Sequence, residues 1–561
     1  MNIFKISVWI LLIPIIQKAT SQNPIYIPDT LGGNEFLLQL KNSSKEFYLG
    51  FQTQTNAYNG NYLGPTLILN KGQQIKIQVD NQLSETTTTH WHGLHVAPKN
   101  DGGPHNPIFP NTKWSPEFTV MDQAGTYWYH PHLHGKTFEQ VIKGAAGLII
   151  IHDQEEIDLK IPRTYSVDDI PLILQFQTVD PISKQISVNN DFDNVSMVNG
   201  TINPMLKCPA QIIRFRLLNA SSRRVFNLGF NDDRTFYQIA GDAGLLNKPI
   251  PMKKIRLGTG ERAEILVDFN SDQGKNLILK QYGNELPAGF PGGPAIMGMS
   301  PLGPLDNKIF DILNIHVTSQ TNNSVTQIPA KLIENNPLSP SGAIERSIRF
   351  TAQPMMSMTN FFINGLKYDE HTINFTVNQK DKEIWNITNQ TMMAHPFHIH
   401  GNSFYILSIN GIEPPENMKG RKDVVLIPPM NGNVRIITQY NDFHDSSLPY
   451  MFHCHILSHE DDGMMGQFLV LESPTKTEQG YVEDSFKFFP SIAINKVLIE
   501  TINTFIPYSI RIYDFMGNCL KHIDQLNSSY ELDIQNLKQG FYLISILQNN
   551  HPYCHKIVKV N

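Results

Sequence analysis

Ten of the 20 histidines in this 561-residue chain stand in four short segments. These are His90-Trp91-His92-Gly93, His130-Pro131-His132, His395-Pro396-Phe397-His398-Ile399-His400, and His453-Cys454-His455 with His459 just beyond. Neutral imidazole binds transition metals, and thiolate is the softer ligand of the two. In an extended strand residues i and i+2 share a face, so each His-x-His pair aims two rings at one place. His453-Cys454-His455 goes further: its histidines face one way and Cys454 the other, so one strand serves two metal sites. The same parity separates His395 from His398 and His400. Cys454 with His395, His459 and a methionine just downstream makes the thiolate, two-imidazole and thioether set of a blue-copper electron-transfer centre. His90, His92, His130, His132, His398, His400, His453 and His455 remain, enough to hold three more copper ions with open positions. Such a cluster suits dioxygen, whose reduction to water needs four single electrons collected first, with Cys454 as the covalent link from the entry site.

The strands that must hold these segments recur along the chain. A turn, an alternating strand and a closing asparagine appear three times: from Gly64-Pro65-Thr66 to Asn81, from Asn203-Pro204-Met205 to Asn219, and from Ile373-Asn374 to Asn389. A second element follows in each copy, beginning at Gly125, Glu261 and Leu448. In the first and third copies these strands run into histidines, whereas none occurs from Asp153 to Ile315. The middle copy is therefore expected to be a spacer without metal chemistry. Short strands with frequent turn residues predict an all-β chain of three Greek-key sandwiches, at residues 22–158, 159–325 and 326–472.

Composition fits a globular chain, with 40% hydrophobic and 17% charged residues and 37 Gly and 36 Pro to supply turns. A net charge of −6 without a Lys/Arg cluster excludes nucleic acid as a partner. Lys5, the apolar run Val8 to Ile16 and Ala19-Thr20-Ser21 make residues 1–21 an export signal, leaving Gln22 first. That run breaks at Gln17-Lys18, short of the roughly 20 apolar residues of a membrane-spanning helix, so no span is expected in the mature chain. Four cysteines make no disulfide framework in so long a chain. Cys208 reads as a small buried hydrophobe, and Cys519 and Cys554 belong to the tail. The chain changes character through Ser473-Pro474-Thr475-Lys476, so residues 473–561 form a linker and a separate small β-sandwich.

With Gly135-Lys136-Thr137-Phe138-Glu139-Gln140-Val141 and Glu460-Asp461-Asp462-Gly463-Met464-Met465, the four histidine segments make residues from about 25 to 472 resemble the multicopper oxidases. The likeness is greatest to bacterial laccase-like, bilirubin-oxidase-like and cuprous oxidases. It implies three cupredoxin-like domains, four copper ions, dioxygen as acceptor and a small reducing substrate: a phenol, a bilirubin-like tetrapyrrole or Cu(I). By motif, His90 and His398 resemble type 2 ligands, and His92, His130, His132, His400, His453 and His455 type 3 ligands. His395, Cys454, His459 and Met464 resemble the type 1 set, although spacing alone does not separate Met464 from Met465.

Asp101, in Asp101-Gly102-Gly103-Pro104, and Glu460 occupy the places of proton donors in similar enzymes, since forming water consumes four protons. Their plainer readings are a turn aspartate and a solvated charge. Cuprous oxidases carry an acid where Thr391 stands before Met392-Met393, and no long Met/His-rich insert occurs here. Met297, Met299, Met355, Met356 and Met358 therefore suit packing as well as Cu(I). A copper-tolerance or copper-buffering protein is the alternative, though a buffer needs neither the Cys454 link nor an oxygen cluster. His95, His105, His152, His316, His371, His444 and His551 read as ordinary core or surface residues, and Trp91 and Trp128 as core. Ser509 to Asp514, Leu537 to Leu543 and His555 to Val560 resemble the C-terminal sorting domain of type IX secretion. That resemblance implies a route through the periplasm to the cell surface or medium, with secretion machinery as partner. A monomer is expected.

Overall fold

The computed structural model describes residues 22–190, 192–296, 303–354, 360–473, 486–501, 507–515, 517–548 and 551–561. The export signal predicted at 1–21, most of the predicted linker, and Met297, Met299, Met355, Met356 and Met358 lie outside them. Strands hold 49% of the chain and helices 5%, so the protein is all-β. It divides into two compact units, Met1–Ser473 and Pro474–Asn561.

The first unit contains three pairs of sheets. In the first pair, strands Thr30–Leu31, Thr66–Asn70, Gly147–His152, Gly125–His130 and His90–His92 lie side by side in that order. The other sheet runs Phe51–Tyr58, Glu35–Tyr48, Gln74–Asn81 and Lys113–Trp114. Gln74–Asn81 alternates, burying Ile75, Ile77, Val79 and Asn81, because only one of its faces meets the core. Gly147–His152 lies centrally and is apolar along its length. The middle pair is larger, with seven and six strands, and the third pair has five strands in each sheet. Asn23–Pro24, at the start of the span predicted as the first sandwich, pairs in parallel with Pro204 and Met205 at the edge of a middle sheet. The N-terminal segment is thus fastened to the second sandwich, not the first.

The recurring asparagine has a physical reason. Asn81, Asn219 and Asn389 are fully buried at a strand end, where neighbouring backbone carbonyls would be stranded. Each amide donates to one carbonyl in the loop that follows, of Glu85, Arg224 or Met393, and to one 27 to 39 residues on, of Ile108, Leu257 or Pro428, with Asn389 also reaching Ile427. Each side-chain oxygen accepts from the backbone N–H two residues on, at Leu83, Ser221 and Thr391. One side chain closes the same corner in all three sandwiches.

The second unit pairs a three-stranded sheet with a five-stranded one, over a core that includes Val497, Ile499, Ile510, Leu532, Ile544 and Ile557. The three stretches that resemble a sorting domain fall on neighbouring strands, Tyr508–Tyr513, Gly540–Gln548 and His551–Lys559. All four cysteines are free, Cys208 buried and Cys519 and Cys554 exposed. Among the described residues no helix is long and apolar enough to cross a membrane.

Candidate metal centre

Strand register brings the histidine segments together. His90–His92 pairs with Gly125–His130, setting His90 opposite His130. His395–Ile399 pairs with Tyr450–Cys454, setting His398 opposite His453 and Phe397 opposite Cys454. All ten rings are buried, and only His459 keeps as much as 7% of its surface exposed.

Eight of the histidines converge between the first and third sandwiches. In His92, His130 and His455, and again in His132, His400 and His453, one ring nitrogen from each lies within 4.8 Å of the others. His92 Nδ1 is 3.4 Å from His130 Nε2 and 3.3 Å from His455 Nε2. His453 Nε2 is 3.1 Å from His132 Nε2 and 3.3 Å from His400 Nε2. His90 and His398 form a further group with His400, and the Nε2 atoms of both are buried without any hydrogen-bond partner. Orphaned acceptors aimed at one another are costly unless a cation stands between them. Burial, reinforced by neighbouring rings or, at His459, by the charge of Arg223, holds all ten histidines below their usual range, with His130, His453 and His459 pushed down to about 3. They are neutral and ready to ligate.

On the other side of the Tyr450–Cys454 strand lies the sulfur site. Cys454 Sγ stands 3.4 Å from His395 Nδ1 and 3.7 Å from His459 Nδ1. His395 Nε2 is 2.8 Å from the Thr391 hydroxyl, so that ring's orientation is fixed. The structure separates the two methionines. Met464 packs in the same core as Cys454, whereas Met465 lies opposite His453 in the sheet, on the histidine face. Met464 also accepts the Cys454 N–H through its carbonyl and donates to the His459 carbonyl, which ties the loop to both residues. Burial raises the Cys454 thiol, a cost that a metal-thiolate bond would offset.

Two carboxyls predicted as proton donors stand beside the cluster. Asp101 Oδ2 accepts from His400 Nδ1 at 2.8 Å, its backbone carbonyl accepts from His90 Nδ1 at 2.9 Å, and burial pushes the acid up to about 8. Glu460 lies 3.4 Å from His132 Nδ1 and 3.2 Å from His453 Nδ1. Burial, then neighbouring Asp461, raises it far above the usual carboxylate range. Neither is a solvated charge. Asp461, pushed by burial to about 6, accepts from the backbone N–H groups of Thr137 and Phe138, so the Gly135-Lys136-Thr137 segment is tied to the Glu460 loop.

Sequence reasoning missed Asp423 and Arg262. Asp423 accepts from His398 Nδ1 through its carbonyl and reaches His92 Nε2 through its carboxylate. Arg262, from the middle sandwich, grips that carboxylate. The middle sandwich supplies none of the candidate ligands, yet it is not remote from them: Thr259 Oγ donates to the His455 carbonyl, and a Cβ on Gly260 would come 2.9 Å from the His455 ring. No spacing rule points at Asp423. Its one trace is a charged pair, Lys422-Asp423, directly before the buried apolar strand Val424–Ile427.

Comparison with known proteins agrees with this geometry. The family description "multicopper oxidase" matches residues 41–156 and again 342–474, and "secretion system C-terminal sorting domain" matches 487–560. A multicopper oxidase of Staphylococcus haemolyticus is 35% identical over 453 residues, 79% of this chain and 90% of that protein. The cell division protein FtsP of Salmonella typhimurium is 30% identical over 461 residues, 81% of this chain and 93% of that protein. Among solved structures, the McoA multicopper oxidase of Aquifex aeolicus superposes with a TM-score of 0.73 at 32% identity, covering 80% of this chain and all of its own. A laccase-like multicopper oxidase of Ochrobactrum, described as active on lignin model compounds and lignosulfonate, gives 0.72 at 31% identity over 80% of this chain.

Proposed function

The chain belongs to the multicopper oxidase family, and from that premise we propose that it couples four one-electron oxidations of a small reducing substrate to the reduction of dioxygen to water. It is an oxidoreductase and a copper protein with a C-terminal sorting domain; the copper types, the residue roles and the donor are the proposal. Copper bound at these sites supplies the one-electron redox chemistry and the open positions for dioxygen. His395, Cys454, His459 and Met464 would hold one type 1 ion, and His90 and His398 one type 2 ion. His92, His130 and His455 would hold one type 3 ion, and His132, His400 and His453 the other. The single observation that carries the reading is the full separation of these donors by strand parity, eight nitrogens on one side of Cys454 and the sulfur set on the other. Family membership alone would not suffice, because several similar relatives are named for cell division.

Among the sulfur-site residues only His459 has an edge at the surface, so the donor meets the protein there. Thr391 brings a neutral hydroxyl, and no carboxylate, to His395. That uncharged partner favours an organic donor, a phenol or a bilirubin-like tetrapyrrole, over Cu(I). Asp101 and Glu460, both buried beside the cluster, carry protons into it and deliver them as oxygen is reduced. Oxygen-electrode assays against a phenol, bilirubin and Cu(I) should show uptake fastest with one of the first two. Cys454→Ser should abolish both uptake and the blue absorbance expected near 600 nm, an order-of-magnitude position for a Cu(II)-thiolate site. Retained blue colour in that variant would refute the assignment of Cys454. The tail supports passage through the periplasm to the surface or medium.

A further inference from the structure

A carboxylate that holds two rings of the cluster occurs twice, and the copies are unequal. Asp101 holds His90 through its carbonyl and His400 through its side chain. Asp423 repeats this from the third sandwich, with His398 on its carbonyl and His92 facing its side chain at 3.1 Å. The rings so held are stacked in both halves, His90 on His400 and His92 on His398, each at 3.8 Å between centroids. Among the described residues, however, no lysine or arginine pairs with Asp101, whereas Asp423 receives both prongs of Arg262, at 2.6 and 2.5 Å. Arg262 spends its five N–H groups here: two on Asp423, and the rest on the carbonyls of Thr126, Gly260 and Asp242. It is therefore fixed by the first and middle sandwiches at once, and it fixes a residue of the third. Gly93, next to His92, leaves room for the pair, since a Cβ there would lie 2.6 Å from Arg262 Nη2.

The consequence is chemical. A neutral imidazole carries one proton on either of two nitrogens, and only the other can bind a metal. His92 differs from its partners: it turns Nδ1 towards the Nε2 atoms of His130 and His455. That requires its proton on Nε2, the nitrogen facing Asp423. We propose that Arg262 and Asp423 are positioning residues through which the middle sandwich, which supplies no ligand, fixes the tautomer of His92 and the ring of His398 and so sets how tightly this half of the cluster holds copper. The inference rests on the copper reading proposed above.

The test compares two double variants that strand no buried charge: Arg262→Met with Asp423→Asn, which keeps an oxygen acceptor for His92, and Arg262→Met with Asp423→Leu, which does not. Copper is titrated into each metal-free protein, total bound copper is measured by elemental analysis, and blue absorbance serves as the internal record of the Cys454 site. The Leu variant should bind cluster copper about 10- to 100-fold more weakly than the Asn variant, the usual cost of losing such a partner, with equal blue absorbance per chain. Identical titrations of the two would overturn the proposal. Should the Leu variant not fold, Arg262→Lys, which keeps the charge but loses the fork, must show weakened cluster loading, and wild-type loading there would overturn it equally. A wild-type protein that takes up copper only at the Cys454 site would instead refute the copper reading itself.

Discussion

A carboxyl that stays protonated near neutral pH is useful where protons are consumed, and Asp101 is such a group, pushed by burial to about 8 and hydrogen-bonded to His400. Asp101→Asn keeps an oxygen for the His400 Nδ1–H and changes little in volume, but it has no proton to give. Turnover should fall about 100-fold or more, as general acids contribute roughly 10²- to 10⁴-fold, while copper content and blue absorbance stay at wild-type levels. If copper falls as far as activity, the residue is structural and the relay is wrong. At this scale the candidate ligands were legible in the sequence because each side chain's chemistry is its own and strand parity is a local rule. Asp423 and Arg262 were not legible. They stand 161 residues apart, and neither is among the proposed ligands. Their importance comes from the meeting of three sandwiches, for which no local pattern exists. Met464 and Met465 were equivalent by spacing and became distinct only when the register of Met465 against His453 put them on opposite faces.

Elements hold these residues by turns as much as by strands. Gly102 follows Asp101 with φ of 78°, and a Cβ there would fall on the Thr89 carbonyl and come 2.9 Å from His90 Cα, all of it backbone. Gly72 has a similar φ, 82°, but nothing lies within 4 Å of where its Cβ would be. The pair separates two costs. Gly72→Ala should lose only the ~1 kcal/mol of a left-handed alanine, whereas Gly102→Ala must also move the strand that carries His90 and should lose about 3 kcal/mol or more. Urea unfolding of the metal-free variants measures both, and equal losses would show that the Asp101 turn gives way freely. The three repeats were readable because each sandwich needs the same corner, and Asn81, Asn219 and Asn389 close it with the same hydrogen bonds. The attachment of Asn23–Pro24 to the middle sandwich was not, since two residues in an edge strand carry no periodicity.

At the scale of the whole molecule, every proposed ligand lies in the unit that ends at Ser473, and the tail has a core of its own. A chain ending at Ser473 should therefore bind copper and oxidise donors at rates close to full length while failing to leave the native host; secretion undiminished by the deletion would make the tail a mere appendage. Within the first unit the same ten histidines that invite copper make the metal-free protein sensitive to acid. Burial lowers each of them in the folded state, three to about 3, while in the unfolded chain each titrates at its ordinary value of about 6.5. Between those values the unfolded chain binds more protons, so stability rises with pH across the window and is lost as pH falls through it, by up to about 1.4 kcal/mol per histidine per pH unit. Seven carboxyls raised by burial, Asp101, Asp122, Asp168, Asp193, Asp423, Glu460 and Asp461, act in the opposite sense and favour the fold at lower pH, but they offset the ten imidazoles only in part. Even a fraction of the summed effect is comparable with the ~5–15 kcal/mol stability of a domain. Metal-free protein should accordingly unfold cooperatively between about pH 6.5 and 5, whereas copper, which binds only deprotonated rings, should carry the fold to lower pH. Thermal unfolding followed from pH 8 to pH 5 with and without copper decides the matter. A metal-free protein equally stable at both ends would mean that its histidines are not held neutral by burial, and the electrostatic account of the site would fall with it.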